Sequence, residues 1–429
     1  MIGVIADDTT GANDIGVMFA KHGYLTQIAT WLEDETHIDS GADVIVIDTD
    51  SRLEPPEIAY RKVFAATKRL VASGCTPLYK KTCSVFRGNI GAELDAMLDA
   101  SGGSFAMVSV AFPKNGRRTV QGIHTVNGKR LEASAFAHDP VHPTLESDLV
   151  KLLAAQTRRR VSLIDLATVQ AGTAALRAAI FSRGAYSNYC IFDASEQSDL
   201  TALAAAAHDF PFMAGSSALA EELPKFWPPR KPVKLLAEKD FSAPHNVLIV
   251  SGSLTPQTKS QTAALAAAGV PTVTLDTRQM FAPASRPQEI VRVIDEVLGY
   301  LRAGHDALVM ADQSMATVAA TKSLGAQRGL DPLATSKAVS TALAEVTLTV
   351  IETVGIKRLI VAGGDTSSAV CRQLGILGNY ILEEISPGVP SGLAIGREML
   401  LVLKSGSFGA DDFLVHATAH LKTLGHSTP

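Results

Sequence analysis

The sequence predicts an α/β protein of two domains, each a largely parallel sheet flanked by helices, with the active site in the cleft between them. Three observations predict this. Short apolar runs alternate with amphipathic stretches at the spacing of βαβ units. That rhythm breaks once, at the proline- and charge-rich run Phe226-Trp227-Pro228-Pro229-Arg230-Lys231-Pro232, and then restarts. The strand ends carry charge in the first half and glycine in the second.

In order, Ile2–Ala6 reads as a buried strand and Ala12–His22 as a helix after the Thr9-Thr10-Gly11 turn. Val44–Ile47, Leu78–Thr82 and Phe105–Val110 read as strands, and Pro56–Ala72 and Ile90–Leu98 as helices. Residues Gly122–Ala133 depart from the alternation and suggest a hairpin or flap, before strands resume at Val161–Asp165 and Tyr189–Asp193. The boundary falls between about residues 225 and 245, giving domains over 1–230 and 245–429. The second half opens with the strand Asn246–Val250, a Ser-Gly-Ser turn and a helix to Ala268. Strands at Thr272–Leu275, Ala307–Met310, Leu359–Val361 and Leu400–Leu403 complete it, with no internal repeat evident.

Composition excludes several classes. At 429 residues, 46% hydrophobic and 19% charged, the chain has globular values and exceeds a usual single core. A net charge of −4 argues against a nucleic-acid surface. The dense basic run Arg158-Arg159-Arg160 reads as a solvated helix C-terminus. The cysteines Cys75, Cys83, Cys190 and Cys371 lack CxxC spacing, as expected in a reducing compartment without disulfides or a zinc knuckle. The N-terminus lacks a basic segment followed by an apolar run, and no stretch is long enough to span a bilayer. The expectation is a cytoplasmic protein with no membrane partner.

The chemistry concentrates where ligands of α/β sheets collect, beyond the carboxyl ends of strands. Strand one runs into Asp7, Asp8 and Thr9, and strand two into Asp48, Asp50, Ser51 and Arg52. Strand three ends at Lys80, Lys81, Thr82, Cys83 and Ser84, with Arg87 beyond. Cations facing a carboxylate pair suit an organic acid whose hydroxyl is to be activated. A single such residue would more often cap the next helix; three strand ends together favour a site. In the second half, Ser251-Gly252-Ser253 and Gly363-Gly364-Asp365-Thr366 each precede a helix, and Lys404-Ser405-Gly406-Ser407-Phe408-Gly409 adds a cation. Glycine admits a phosphate close to backbone N–H groups at a helix start, so this half reads as a nucleotide site.

Standard signatures are absent: no G-x-x-x-x-G-K-[ST] loop, no G-x-G-x-x-G fingerprint and no G-x-S-x-G elbow. His138 and His142 flank Pro140, which spoils a metal-binding helix face, and they read as structural.

Taken together the motifs resemble the four-carbon acid sugar kinase family. Ile5-Ala6-Asp7-Asp8-Thr9-Thr10-Gly11-Ala12-Asn13-Asp14 is similar to its I-A-D-D-x-T-G-A-x-D signature. Lys80 to Gly91 is similar to its K-K-x-D-S-T-L-R-G-N-x-G block, and Phe112-Pro113 through Gly116-Arg117 and Gly122 to its F-P…G-R…G segment. The resemblance spans nearly the whole chain in order. It implies an N-terminal acid-sugar-binding domain, a C-terminal nucleotide-binding domain, and use of ATP with Mg2+ to phosphorylate the terminal hydroxyl of a tetronate. D-threonate leads, with D-erythronate and 3-oxo-tetronate as alternatives. By position it assigns substrate contacts to Asp8, Arg52, Lys81, Thr82, Cys83, Ser84 and Arg87, and the catalytic role to Asp8. Nucleotide contacts fall to Ser253, Gly363, Gly364, Asp365, Thr366 and Gly406; metal ligands stay unassigned. Cys83 stands where many members have aspartate. Its Cys-Ser pair is similar to the 3-oxo-tetronate branch, whereas Arg87-Gly88-Asn89 is similar to the threonate and erythronate branch. Read without the resemblance, the residues also allow a non-kinase sugar-acid enzyme or a sensing module, and a homo-oligomer.

Overall fold

The structure, a computed structural model, describes residues 1–30, 36–138, 143–237, 239–406 and 408–425. His142 and Ser407, and the side chain of His138, lie outside what it describes. Two compact units divide the chain, Met1–Val233 and Lys234–Pro429.

The strands of the first unit are β1 (Ile2–Ala6), β2 (Thr26–Thr30), β3 (Val44–Asp48), β4 (Leu78–Lys81), β5 (Ala106–Ser109), β6 (Arg117–Val120), β7 (Ile123–Val126), β8 (Lys129–Arg130), β9 (Val161–Ile164), β10 (Tyr189–Phe192) and β11 (Phe212–Gly215). Its helices are α1 (Thr9–Ala20), α2 (Pro56–Ala72), α3 (Ile90–Ser101), α4 (Leu149–Ala154), α5 (Leu166–Val169), α6 (Thr173–Gly184), α7 (Gln197–Ala207) and α8 (Ser217–Glu222). The main strands run in the order β2-β3-β1-β4-β11-β5-β10-β9, and every pairing among them is parallel. Strands β1 and β3 are buried along their whole length, as strands covered by helices on both faces must be. The flap expected over 122–133 is a three-stranded antiparallel ribbon, β6-β7-β8, that starts five residues earlier at Arg117.

Three readings change. Strand β2, sequence TQIAT, escaped notice because its apolar content is low, although four of its five residues are buried. Strand β11 is four residues long and was passed over as well. Helix α4 stops at Ala154, so Arg158–Arg160 do not close a helix. Instead Arg159 lies in the bend before β9 and pairs with Asp95 at 3.2 Å and Asp99 at 2.5 Å.

The second unit contains β12 (Leu248–Ser251), β13 (Thr272–Leu275), β14 (Ala307–Ala311), β15 (Arg358–Ala362), β16 (Gly378–Ser386), β17 (Val389–Ile395) and β18 (Leu400–Lys404). Its helices are α9 (Pro256–Ala267), α10 (Arg286–Arg302), α11 (Met315–Gln327), α12 (Pro332–Val354), α13 (Gly364–Gln373) and α14 (Phe413–Thr423). The order β13-β14-β12-β15-β18 is parallel; β17 and β16, which sequence periodicity did not reveal, continue it antiparallel. Successive side chains feed opposite cores. Leu248, Val250, Leu359, Val361, Leu401 and Leu403 pack on one face, while Ile249, Ile360, Leu400 and Val402 pack on the other.

The two units wind alike at their centres. Each leaves its first strand, places two strands on one side, and crosses to the other: β2-β3-β1-β4 and β13-β14-β12-β15. Each therefore has a topological switch point beside its first strand, where a crevice opens past the carboxyl ends. Among the described residues no helix is long and apolar enough to cross a membrane.

Candidate active site

In the first unit, register gathers the predicted residues. Ala6 of β1 lies opposite Asp48 of β3 on one side and Lys81 of β4 on the other. The chain segments that follow therefore emerge side by side at the switch point. The side chain of Asp8 caps α1, accepting from Gly11 N at 2.7 Å. A Cβ at Gly11 would sit 2.4 Å from Asp8 Oδ1 and 3.1 Å from Lys81 Nζ, so carboxylate and ammonium flank this glycine.

Arg52 joins both aspartates. It donates from Nε and Nη2 to Asp7, each at 2.8 Å, and from Nη1 to Asp8 Oδ2 at 2.5 Å. Neighbouring side chains of a strand point to opposite faces, but the turn into α1 lets both aspartates meet one guanidinium. Asp7 is fully buried and Asp8 partly exposed. Burial would raise the Asp7 carboxyl, but the charges of Arg52, Lys80 and Lys81 outweigh it and hold it well below its ordinary range. Asp48 has the opposite fate. Burial, with Asp50 and Asp8 alongside, pushes its carboxyl up to about 7 against the hydrogen bond from Thr9 Oγ1 at 2.6 Å.

The Lys81–Arg87 segment divides. Lys81 Nζ pairs with Asp14 at 3.3 Å, and Asp14 Oδ2 also accepts from Ser217 Oγ at 2.6 Å. Thr82 is fully buried, and its hydroxyl turns back to the Cys83 carbonyl. Arg87 Nε donates to Cys83 Sγ at 3.4 Å. Burial would raise that thiol, yet Arg52 and Arg87 pull it below its ordinary value. Cys83 is thus ringed by cations as an aspartate would be. The Ser84 carbonyl accepts from His124 Nε2 at 3.0 Å, which leaves Nδ1 to accept from Thr119 Oγ1 at 2.9 Å. Burial lowers His124 to about 4, consistent with a neutral ring tying the ribbon to the loop. Phe86 closes that loop with φ of 59°, a left-handed conformation uncommon for an aromatic residue.

Several site residues were not singled out from the sequence. Asn89 donates to the carbonyls of Ser51 and Glu54 at 3.2 and 2.7 Å and so holds the loop that carries Arg52. Asp14, one turn and a half into α1, fixes Lys81. Ser217 follows the overlooked β11. Arg117, at the start of the ribbon, is half-buried, and its charge interacts with those of Cys83, Asp14 and Arg87.

In the second unit the same edge logic holds. Ala362 lies opposite Ser251 and Lys404, so Gly252, Gly363 and Ser405 emerge together. Gly252 N donates to Ala362 O at 3.1 Å, and Gly363 N to Lys404 O at 2.8 Å. Gly363 has φ of 126°, which excludes a side chain, and a Cβ on Gly252 would lie 2.2 Å from Thr366 Oγ1. No described residue lies within 4 Å of a Cβ at Gly364. Helix α13 begins here, and among the described residues no side chain caps it, so no capping oxygen takes its first N–H groups. Ser253 Oγ lies 3.2 Å from Thr255 Oγ1, whose hydrogen goes to Gly406 O at 2.6 Å. Asp365 is exposed, whereas Thr366 is buried against Ser340 at 3.5 Å. Lys404 does not present a cation to this edge. It is buried, donates to Thr258, Ser405 O and Gly406 O, and is pushed down to about 8 by burial. A cavity of ≈ 130 Å³ adjoins Gly252, lined in part by Leu254, Ala311, Val318 and Val339.

Comparison with known proteins agrees with this division. A family described as a sugar-binding N-terminal domain matches residues 2–223, and one described as a nucleotide-binding C-terminal domain matches 248–414. The chain is 32% identical over 430 residues to a D-threonate kinase of Salmonella typhimurium, covering 98% of each. It is 34% identical to a 3-oxo-tetronate kinase of Burkholderia multivorans, covering 96% of this chain and 95% of the relative. A D-erythronate kinase of Heliobacterium modesticaldum is 33% identical, covering 98% and 97%. A crystal structure from Salmonella typhimurium superposes with a TM-score of 0.82 at 32% identity, covering 97% of this chain and 98% of that one. One from Haemophilus influenzae gives 0.77 at 29% identity, covering 98% and 100%.

Proposed function

The chain belongs to the four-carbon acid sugar kinase family, and from that premise we propose that it transfers the γ-phosphoryl of ATP to the terminal hydroxyl of a four-carbon sugar acid, D-threonate first. The observation that carries this reading is Asp8. Its carboxylate is partly exposed, held by Arg52 and Gly11 N, and set beside the Lys81 ammonium at the switch point. Such a carboxylate can orient an acceptor hydroxyl and take its proton. Arg52, the Lys81–Ser84 segment and Arg87 then line the acid. Because Arg52 already binds two carboxylates, its larger task is to hold Asp8 in position.

The phosphates rest on the uncapped start of α13 and the Gly252-Ser253 and Gly406 turns, where N–H groups and the helix dipole favour an anion. The apolar cavity beside Gly252 suits the base. Mg2+ travelling with a nucleotide needs only one or two protein carboxylates, and Asp365 is the one this turn offers. When bound, it would neutralise phosphate charge. Among the described residues no cluster of three or more His, Cys, Asp or Glu forms a metal cage of its own. The rest of the catalysis is positioning and charge.

The branch of the family rests on less. Asn89 supports the Arg52 loop, so the Arg87-Gly88-Asn89 run bears on the acid site itself, and this run favours threonate or erythronate. ADP release measured with D-threonate, D-erythronate and 3-oxo-tetronate tests the order; D-threonate is expected to give the highest kcat/KM. Asp8→Asn is expected to lower kcat by about two to four orders of magnitude with little change in KM for ATP. Wild-type turnover in that variant would remove Asp8 from the reaction.

A further inference from the structure

We propose that Arg117, on the antiparallel ribbon, binds the carboxylate of the acceptor acid and sets the enzyme's preference for acids over uncharged polyols. The assignment rests on the function proposed above and deepens it.

The ribbon's alternation aims Arg117 inward. Along β6, Arg118 and Val120 are exposed, while Thr119 is fully buried against His124. Arg117 shares the face of Thr119, and His124 ties that face to the carbonyl of Ser84. Arg117 therefore looks onto the Cys83–Ser84 loop. Among the described residues its Nε is buried without a hydrogen-bond partner, and Nη1 donates to the Asn115 carbonyl at 3.2 Å. Burying an unpaired guanidinium edge is costly unless an anion completes it. Burial does depress this guanidinium's affinity for its proton, with Arg87 adding to the effect and Cys83 and Asp14 opposing it. The other cations of the edge are engaged: Arg52 by Asp7 and Asp8, Lys81 by Asp14, and Arg87 by Cys83.

A second atom points the same way. Among the described residues Asp14 Oδ1 is buried with no partner, although Oδ2 is held by Ser217 and Lys81. An unpartnered donor edge and an unpartnered acceptor, near enough for their charges to interact, match a ligand that carries both a carboxylate and a hydroxyl. The Nε edge of an arginine offers parallel donors for a carboxylate, which a lysine cannot reproduce.

The test compares the wild type with Arg117→Ala, Arg117→Gln and Arg117→Lys. It measures KM for the acid, the inhibition constant of the acid's uncharged amide, and ATP affinity by calorimetry. The expected result is a KM for the acid raised roughly ten- to a hundredfold in the Ala and Gln variants. The amide's inhibition constant and ATP affinity should stay as in the wild type, and Arg117→Lys should recover only part of the loss. An unchanged KM in an active variant overturns the assignment. So does equal weakening of acid and amide, since that marks a loosened ribbon rather than a lost ion pair. Absence of wild-type turnover with any four-carbon acid overturns the proposed function itself, and this assignment with it.

Discussion

Asp7 and Asp8 are neighbours with different work, and burial decides which does what. Asp7 is sealed under Arg52 with three cations around it, so it anchors the guanidinium; Asp8 keeps an exposed edge. Since Arg52 touches both, Arg52→Ala is expected to lower kcat as well as raise KM for the acid. A charged hydrogen bond is worth about 1.5–3 kcal/mol, or roughly ten- to a hundredfold in each parameter. Steady-state kinetics that show a KM effect alone would mean that Asp8 holds its position without Arg52. Asp48 supplies a pH signature. Its carboxyl ionises near 3.8 in the unfolded chain but keeps its proton up to about 7 when folded. Between those values the folded state binds the extra proton, so this group's contribution to stability falls as pH rises. Urea midpoints at pH 4 and pH 7 are expected to show wild type losing ground relative to Asp48→Asn on going to pH 7. Parallel behaviour of the two proteins would show that Asp48 ionises normally. The motif IADDTTGAND made the aspartates legible, but nothing in it separates a buried carboxylate from an exposed one. That difference comes from Arg52, 44 positions away from Asp8.

Helix α13 and the β6–β8 ribbon show how an element can be legible in kind but not in detail. The Gly-Gly start of α13 was readable because glycine after a strand leaves backbone N–H groups accessible. The tight contact between Gly252 and Thr366, which closes one side of that turn, needed two strands in register. Gly364 differs: no described residue comes within 4 Å of a Cβ there. Gly364→Val is therefore expected to leave the fold intact and to abolish ATP binding, because the side chain occupies the place proposed for a phosphate. Circular dichroism reads the first and titration calorimetry the second; ATP affinity like that of wild type would move the phosphates elsewhere. The ribbon was visible as a break in the alternation. Its inward face was not, because Arg117 and Thr119 acquire a direction only when His124 reaches the Ser84 carbonyl.

Each unit buries both faces of its own sheet, and in the second unit a single arginine ties its two ends together. Arg358 is fully buried at the start of β15 and donates to the carbonyls of Leu421, Leu424, Phe241 and Pro244. It thereby closes the C-terminus of α14 onto the segment that enters the unit. Arg358→Leu leaves these carbonyls without their donor and is expected to destabilise the second unit by roughly 3 kcal/mol. The loss should appear as ATP binding that fails at lower urea concentration than in wild type. An unshifted midpoint would mean that Arg358 is replaceable by packing alone.

Periodicity, glycine placement and strand-end charge were local properties, and from them the sequence by itself determined the α/β class, the break between the two halves and the families of residues at each edge. Register belonged to the tertiary structure. Whether Asp8, Arg52 and Lys81 meet depends on Ala6 standing opposite both Asp48 and Lys81, which no segment encodes alone. The same holds for charge. Lys404 read as a cation for phosphate, yet burial against Thr258 and two carbonyls turned it inward, while Arg117, given no site role in the sequence, gained a buried edge that no described residue pairs. A side chain's type is written in the chain; its solvation and its partners are set by residues distant in sequence, and these decide which groups remain available to a substrate.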